Sequence, residues 1–189
     1  MINRFYVKNL EKIKASFHEK KDFPHLVLFD FLDKTKYRLV EKEIQRISFS
    51  HEKKPLLHSY GSATVPFSLA KIFLSKGLVD FISAIIGKKL KLKNKPKLYS
   101  FLVGDYTLLN DSRAEKDGID IIFDLTEHWD PSGGGAITYV DGTGDALKLP
   151  INSNSLMIVR RQRNMQRFVK YVNHNAGKKK RMFLFVPVQ

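Results

Sequence analysis

The chain has 189 residues and carries 33 Lys plus Arg against 19 Asp plus Glu, a formal net charge of +14. This length predicts one domain, and 43% apolar residues exclude a chain that is disordered throughout. The absence of cysteine excludes disulfides, Cys-ligated zinc, iron–sulfur clusters and thiol nucleophiles. We find no apolar run long enough to span a bilayer and no secretory signal, so we expect a cytoplasmic protein without a membrane partner.

The charge is distributed unevenly along the chain. Residues 1–100 hold 21 basic and 9 acidic side chains, whereas residues 101–145 hold 2 basic and 10 acidic ones. Residues 146–189 hold 10 basic side chains and no acidic one. Such a basic excess indicates attraction to phosphates, anionic surfaces or acidic partners, although a solvated lysine-rich surface has the same composition.

The first 87 residues are predicted to be mainly helical. Apolar residues recur with a period near 3.6 over 1–20, 34–48 and 67–87, which predicts amphipathic helices there. The last of these segments reads as one helix or a helix pair that ends at Gly87. A strand is predicted between the first two helices, in the apolar run at 25–32.

Two further stretches connect this helical part to the rest of the chain. Residues 49–66 contain histidine, proline and glycine at irregular spacing and are predicted to form a loop. The run KKLKLKNKPK at 88–97 is the densest basic cluster. Lysine and leucine alternate from Lys89 to Lys93, which is the pattern of a basic edge strand that resists aggregation.

After residue 88 the chain consists of short apolar or alternating segments separated by turn residues. Many short strands with regular turn signals predict a sandwich or barrel. We therefore expect one domain, 1–189, of mainly β (α+β) class, with a helical lead at 1–87 and a β core at 88–189. The segments are KLYSFLVG, GIDIIFDL, AITYVDG, DALKLP, SLMIVRR, RFVKYV and RMFLFVPV.

The order and spacing of these strands resemble the prolyl 4-hydroxylase-like branch of the iron(II)/2-oxoglutarate-dependent dioxygenases. The resemblance covers the chain from about residue 23 to its end. It implies a double-stranded β-helix, a jelly-roll or cupin-like barrel, flanked by N-terminal helices. The motifs that carry it are FPHLVLFDFL (23–32), GDYTLLNDS (104–112), WDPSGGGAITYVD (129–141), LPINSNSLMIV (149–159) and FVKYVNH…KKKRMFLF (168–185).

The resemblance also identifies the positions of the metal ligands. Members of the family bind iron(II) through a His-x-Asp motif and a second histidine, which leaves open sites for 2-oxoglutarate and oxygen. The matching positions here are Asn110, Ser112 and Arg167. Asn and Ser are weak neutral donors, and Arg cannot coordinate a metal. If the three side chains converge, we expect the guanidinium to occupy the metal position and to bond to Asn110, Ser112 or Asp111.

Two alternatives would restore a metal site. Asp111 is a carboxylate one residue from the matching position, and a β-bulge would turn it to the same face as the other ligands. The sequence His128-Trp129-Asp130 together with His174 supplies two imidazoles and a carboxylate at a displaced position. The simpler interpretation is that His128, Asp130 and His174 are polar surface residues.

The co-substrate end of the family site is better matched. The basic residue that holds the distal carboxylate of 2-oxoglutarate in the family matches Arg181, and Tyr99 or Tyr106 is a candidate for the accompanying tyrosine. Arg181 can hold a carboxylate by two parallel hydrogen bonds, so an anion pocket is expected there even without a metal. Alternatively, Arg181 is part of a basic strand edge.

We therefore expect a non-catalytic binding or scaffold module without a cofactor, whose basic surface contacts an acidic protein or a nucleic acid. One alternative is an active 2-oxoglutarate oxygenase that hydroxylates a protein side chain, with Fe(II) and 2-oxoglutarate as cofactors and atypical ligands. Another is a small-anion binder that uses the Arg181 pocket. The predicted basic surface consists of Lys88, Lys89, Lys91, Lys93, Arg160, Arg161, Arg163, Lys178, Lys179 and Lys180.

Overall fold

A computed structural model of the chain describes residues 1–20, 22–90, 95–109 and 117–188. The helices predicted near 34–48 and 67–87 are confirmed, the latter as a pair, and the one predicted over 1–20 is divided at Asn9. None of the helices in these ranges has the length and apolar character needed to cross a lipid bilayer. The helices are α1 (Arg4–Lys8), α2 (Leu10–Glu19), α3 (Lys34–Ile44), α4 (Phe67–Phe73) and α5 (Lys76–Ile86).

Strands recur throughout the described second half of the chain, as its alternating segments predict. All seven segments predicted as strands after residue 88 contain one, and the early strand is also present. The strands are β1 (His25–Leu28), β2 (Ser50–Lys54), β3 (His58–Thr64), β4 (Lys97–Phe101), β5 (Tyr106–Thr107), β6 (Gly118–Asp124), β7 (Ile137–Val140), β8 (Ala146–Lys148), β9 (Ser155–Arg161), β10 (Gln166–Val169) and β11 (Arg181–Val188).

These strands form two antiparallel sheets. The larger sheet has the order β1-β9-β6-β11-β4-β3-β2, with β5 paired to β3, and the smaller sheet has the order β10-β7-β8. Side chains from both sheets, among them Ile122, Met157, Tyr139 and Val169, form one buried cluster between them. This arrangement confirms the predicted double-stranded β-helix, although the two sheets are not closed into a continuous barrel.

The larger sheet has a second buried face, which packs against the helices. On β6 the side chains alternate, so Ile121 and Phe123 join the helical core whereas Ile122 lies in the cluster between the sheets. The ring centroids of Phe123 and Phe73 of α4 are 4.5 Å apart. The helical layer therefore packs against one face of β6 and leaves its other face directed at the smaller sheet.

The segment at 49–66 differs from the prediction. It forms the hairpin of β2 and β3 instead of a loop, with Ser50 opposite Ser62. All five residues of β2 are exposed, so this edge strand lacks the apolar alternation that identifies a half-buried strand. Polar cross-strand contacts contribute instead, such as the hydrogen bond that Ser62 Oγ donates to Glu52 Oε1 over 2.5 Å.

The basic run at 88–97 is described only in part, so the edge strand predicted from Lys89 to Lys93 is tested only at its first two residues. Lys88, Lys89 and Leu90 follow α5 without strand pairing, and Lys91 and Lys93 lie outside the described residues. The strand that begins at Lys97 lies inside the larger sheet, between β11 and β3. Gly87 has a left-handed conformation (φ 74°) and ends α5 as predicted, so the chain turns away before the lysines.

The contact between Phe73 and Phe123 yields a stability prediction. Replacement of Phe73, which is 2% exposed, by alanine leaves a cavity behind β6. We expect Phe73→Ala to lower the free energy of unfolding by about 3–5 kcal/mol in urea denaturation. The matched control is Phe67→Ala on the same helix, since Phe67 is 74% exposed and its loss is expected to change stability little. Equal effects of the two variants would contradict the packing described here.

Candidate functional site

Two acidic side chains of β6 lie in the interior, between the two sheets. Asp120 and Asp124 occupy alternate positions on the face that also carries Ile122, and both carboxylates are fully buried. A buried charge is costly unless it is paired, and each carboxylate has arginine partners. The interior therefore contains two ion-pair clusters, one near each end of β6.

The first cluster is centred on Asp120. Its Oδ1 lies 2.8 Å from Nε of Arg161, the last residue of β9. Its Oδ2 accepts hydrogen bonds from Nη1 of Arg167 on β10 over 2.5 Å and from the hydroxyl of Tyr139 on β7 over 2.8 Å. Since β7 and β10 belong to the smaller sheet, this one carboxylate binds the two sheets together.

The surroundings of Asp120 also change the acidity of Tyr139. The Tyr139 side chain is fully buried, and burial is the largest cause that raises the pKa of its hydroxyl well above the ordinary value. The negative charge of Asp120 raises the pKa further, whereas Arg167 opposes the change. Tyr139 is therefore a neutral hydrogen-bond donor at physiological pH, which matches its position facing a carboxylate.

The second cluster is formed by Arg181 and Asp124. Arg181 Nη1 donates to Asp124 Oδ1 over 2.7 Å and to Thr126 Oγ1, and Nε donates to the carbonyl of Gly135 over 3.1 Å. Arg181 has no exposed surface. Burial raises the pKa of Asp124 and lowers that of Arg181, and the attraction between the two charges opposes both changes. The residue predicted to bind a ligand carboxylate thus has a carboxylate of the chain itself as its partner.

A cleft of about 160 Å³ opens between the larger sheet and β10. Arg167 lies in its wall, with the guanidinium carbon 4.1 Å from the ring centroid of Phe185. Tyr99, one of the two candidate tyrosines, also lines this cleft. The other candidate, Tyr106, lies beside Tyr171 with the ring centroids 6.3 Å apart. The role of Arg181, Tyr99 and Tyr106 in binding a small anion stays a prediction.

Only one of the three positions that match the metal ligands is described. Arg167 is 23% exposed and points into the interior toward Asp120. Asn110 and Ser112, together with the alternative ligand Asp111, lie outside the described residues. The convergence of these side chains on Arg167 therefore stays a prediction.

The displaced set of His128, Asp130 and His174 is fully described. Asp130 Oδ1 accepts a hydrogen bond from the backbone N–H of Ser132 over 2.8 Å, and His174 begins a 3-10 turn. Within 1–20, 22–90, 95–109 and 117–188, no three His, Asp or Glu side chains are grouped to hold a metal ion. The structure thus does not bring His128, Asp130 and His174 together as a ligand set.

The predicted basic surface is divided between the two ends of the larger sheet. Lys88, Lys89, Arg160 and Arg161 line one groove of about 510 Å³. Lys178, Lys179 and Lys180 are exposed and precede β11, whose opposite end, Val188, borders the groove. The eight residues of β11 place the two sets roughly 20 Å apart. Arg163 is exposed in the turn after β9, and Lys91 and Lys93 lie outside the described ranges.

Asp120 and Asp124 were not predicted from the sequence to be interior ion-pair partners. A signal was present, because in a strand these residues share a face with Ile122, and an apolar neighbour at alternate positions indicates burial. A buried carboxylate requires a cation, which was a reason to look for inward-facing arginines on neighbouring strands. Which arginines those are depends on strand pairing, and the sequence alone does not reveal it.

A family model and a curated relative match this chain. The model described as "Oxoglutarate and iron-dependent oxygenase degradation C-term" matches residues 60–186. The mouse (Mus musculus) protein named prolyl 3-hydroxylase OGFOD1 is 32% identical over 90 residues, which cover 46% of this chain and 16% of that protein. The chain therefore spans only a small part of this relative.

Solved structures confirm the fold. The match to a prolyl-4-hydroxylase from Pseudomonas putida has a TM-score of 0.72 at 13% identity. It covers 94% of this chain and 98% of the Pseudomonas chain. A second match is a Trichoplax adhaerens prolyl hydroxylase, solved with a peptide fragment of the hypoxia inducible factor oxygen degradation domain. Its TM-score is 0.73 at 13% identity, and the match covers 98% of this chain and 93% of the Trichoplax chain. These findings confirm the predicted resemblance to the prolyl 4-hydroxylase-like branch.

The pair of Arg181 and Asp124 yields a prediction on stability. Arg181→Met leaves the carboxylate of Asp124 buried without a cation, so we expect a loss of about 3–5 kcal/mol of unfolding free energy. The double variant Arg181→Met/Asp124→Leu removes both charges and is expected to recover most of that loss. Urea denaturation at neutral pH measures both effects, with Lys180→Met at the exposed neighbouring position as the control. A double variant no more stable than Arg181→Met would contradict the pairing.

The raised pKa of Tyr139 predicts an alkaline loss of stability. A group whose pKa is higher in the folded than in the unfolded state contributes fully to folding stability at pH values below its unfolded pKa, which is about 10 for tyrosine. This contribution to the unfolding free energy is lost as the pH rises from the unfolded pKa toward the folded pKa. We expect the unfolding free energy to fall above about pH 10, by up to ~1.4 kcal/mol per pH unit for this residue. In Tyr139→Phe the slope should be shallower, whereas the exposed control Tyr171→Phe should keep it. Urea midpoints across this pH range provide the test, and identical slopes in both variants would refute the assignment.

Proposed function

The chain belongs to the family described as "Oxoglutarate and iron-dependent oxygenase degradation C-term", and from this premise we propose that it is a non-catalytic binding module built on the 2-oxoglutarate oxygenase fold. The observation that carries the proposal is the interior ion pair between Arg167 and Asp120. At the position that matches a metal-binding histidine, the chain has a guanidinium, which has no lone pair to offer a metal. That guanidinium already has a buried carboxylate as its partner.

The donor set does not fit an iron(II) centre of the family type. Such a centre requires two imidazoles and one carboxylate on one face. The other two matching positions hold Asn110 and Ser112, which are weak neutral donors. In the described part of the chain, no three metal-binding side chains are grouped. The guanidinium of Arg181, which would hold 2-oxoglutarate, is neutralised by Asp124.

The basic surface supports an acidic protein or a nucleic acid as the partner. Four cationic side chains converge on one groove, and three further lysines project from the opposite end of the larger sheet. A protein with this fold, the Trichoplax prolyl hydroxylase, is solved in complex with a peptide fragment. This supports a polypeptide segment as the type of partner, bound here without subsequent chemistry.

Metal titration and turnover test the proposal. We expect calorimetry with Fe(II) or Mn(II), in the presence of 2-oxoglutarate, to show no stoichiometric binding, because Asn, Ser and Arg replace the ligands. We also expect no conversion of 2-oxoglutarate to succinate under conditions in which the Pseudomonas putida prolyl-4-hydroxylase is active. Tight metal binding together with turnover would overturn the proposal and establish an active oxygenase with atypical ligands.

A further inference from the structure

We infer that the groove lined by Lys88, Lys89, Arg160 and Arg161 binds an extended acidic peptide in which aliphatic residues alternate with carboxylates. This inference deepens the proposed function and rests on it, because it names the partner class of a binding module. The groove has a volume of about 510 Å³ and is called the basic groove below. Among the described residues, none lines both this groove and the cleft beside Arg167.

The cations reach the basic groove from two separate parts of the chain. Gly87 ends α5 with a left-handed turn, and the next two residues, Lys88 and Lys89, are exposed at the rim. Arg160 and Arg161 come from the end of β9. Two basic blocks that are about 70 residues apart in the sequence therefore form one site.

The two arginines are held in place by contacts within the fold. The guanidinium carbon of Arg160 lies 5.4 Å from the ring centroid of Phe17, and its Nη2 is 3.5 Å from His18 Nδ1. Arg161 is 5% exposed and pairs with Asp120. Gly118 permits this approach, because a Cβ at that position would lie 2.5 Å from Arg161 Nη2. The back of the groove is thus rigid, whereas the lysines at its rim remain exposed.

The remaining lining of the basic groove is mostly aliphatic. Ile86 and Val188 are buried, and Leu90 and Ile119 are partly buried beside them. Asp117 is the one acidic side chain among the described lining residues, against four cations. A complementary ligand therefore has several negative charges together with small apolar groups that cover this floor.

This chemistry favours a peptide over the other polyanions. No aromatic side chain is among the described lining residues, so stacking of unpaired bases has no platform here. The aliphatic groups are buried or partly buried whereas Lys88 and Lys89 are exposed, so a flat anionic membrane surface would contact the lysines more readily than the aliphatic groups. An extended acidic peptide places alternate side chains on opposite faces, so aliphatic residues point to the floor while carboxylates meet the rim lysines.

Two fluorescent peptides of equal length and charge test the inference. In one of them Glu alternates with Leu, and in the other Glu alternates with Ser. We expect the Glu–Leu peptide to bind the full chain about tenfold more tightly than the Glu–Ser peptide in fluorescence anisotropy, since only leucine covers the apolar floor. Binding should weaken with added salt because the rim contacts are exposed charges.

Variants with matched charge changes locate the site. We expect Lys88→Glu/Lys89→Glu to weaken binding of the Glu–Leu peptide by about tenfold or more. Lys178→Glu/Lys180→Glu has the same charge change at the other end of the sheet and should leave the affinity within about twofold. Thermal unfolding confirms that both variants fold. The inference would be overturned if both variants weakened binding equally, if the two peptides bound with equal affinity, or if neither peptide bound. It would also be overturned if a single-stranded oligonucleotide of equal charge displaced the Glu–Leu peptide at a lower concentration than the peptide itself requires.

The outcomes separate this inference from the proposed function. Iron-dependent turnover with intact peptide binding would remove the non-catalytic role and leave the peptide site in place. Loss of binding only in the Lys178→Glu/Lys180→Glu variant, without turnover, would keep the binding module but place its contact surface at the opposite end of the sheet.

Discussion

The buried carboxylate of Asp120 joins the two sheets, and much of the interior depends on it. It lies on the interior strand β6 and is paired with Arg161 from the same sheet and with Arg167 from the opposite sheet. Removal of Asp120 would leave two guanidinium groups without this carboxylate, and the loss of a buried partner typically costs several kcal/mol. The pair of Asp124 and Arg181, near the other end of β6, joins two neighbouring strands of the larger sheet. The cluster around Asp120 therefore links the two sheets, whereas the one around Asp124 lies within the larger sheet.

The same interactions relate the interior to the surface. Arg167 and Arg181, which the family resemblance assigns to the metal and co-substrate positions, bond to carboxylates of the chain itself. Binding is accordingly proposed for the outside of the fold, at the basic groove. Arg161 takes part in both regions, since it bonds to Asp120 and also lines the groove. An interior ion pair thus supports the back wall of the proposed peptide site.

Local patterns were sufficient to predict most of the elements. The helices near 34–48 and 67–87 and the strands after residue 95 follow from apolar periodicity and turn residues, which act over a few positions. The hairpin of β2 and β3 was missed because β2 is an exposed edge strand, whose polar sequence has no buried face to reveal its period. The run at 88–97 combines two local signals. Its alternation of lysine and leucine has the period of a strand, but Gly87 ends α5, and Lys88 to Leu90 line a groove without strand pairing.

By itself, the sequence determined the family and the double-stranded β-helix, because strand order and residue type can be read along the chain. The assignment of Asn110, Ser112 and Arg167 to the metal-ligand positions stays a prediction. Only the tertiary structure decided which charges meet. Arg167 and Arg181 have Asp120 and Asp124 as partners, and Arg160 shares a groove with Lys88 rather than with Lys178. The physical reason is that an ion pair depends on a separation of a few ångströms between atoms, and strand pairing brings together residues that lie tens of positions apart.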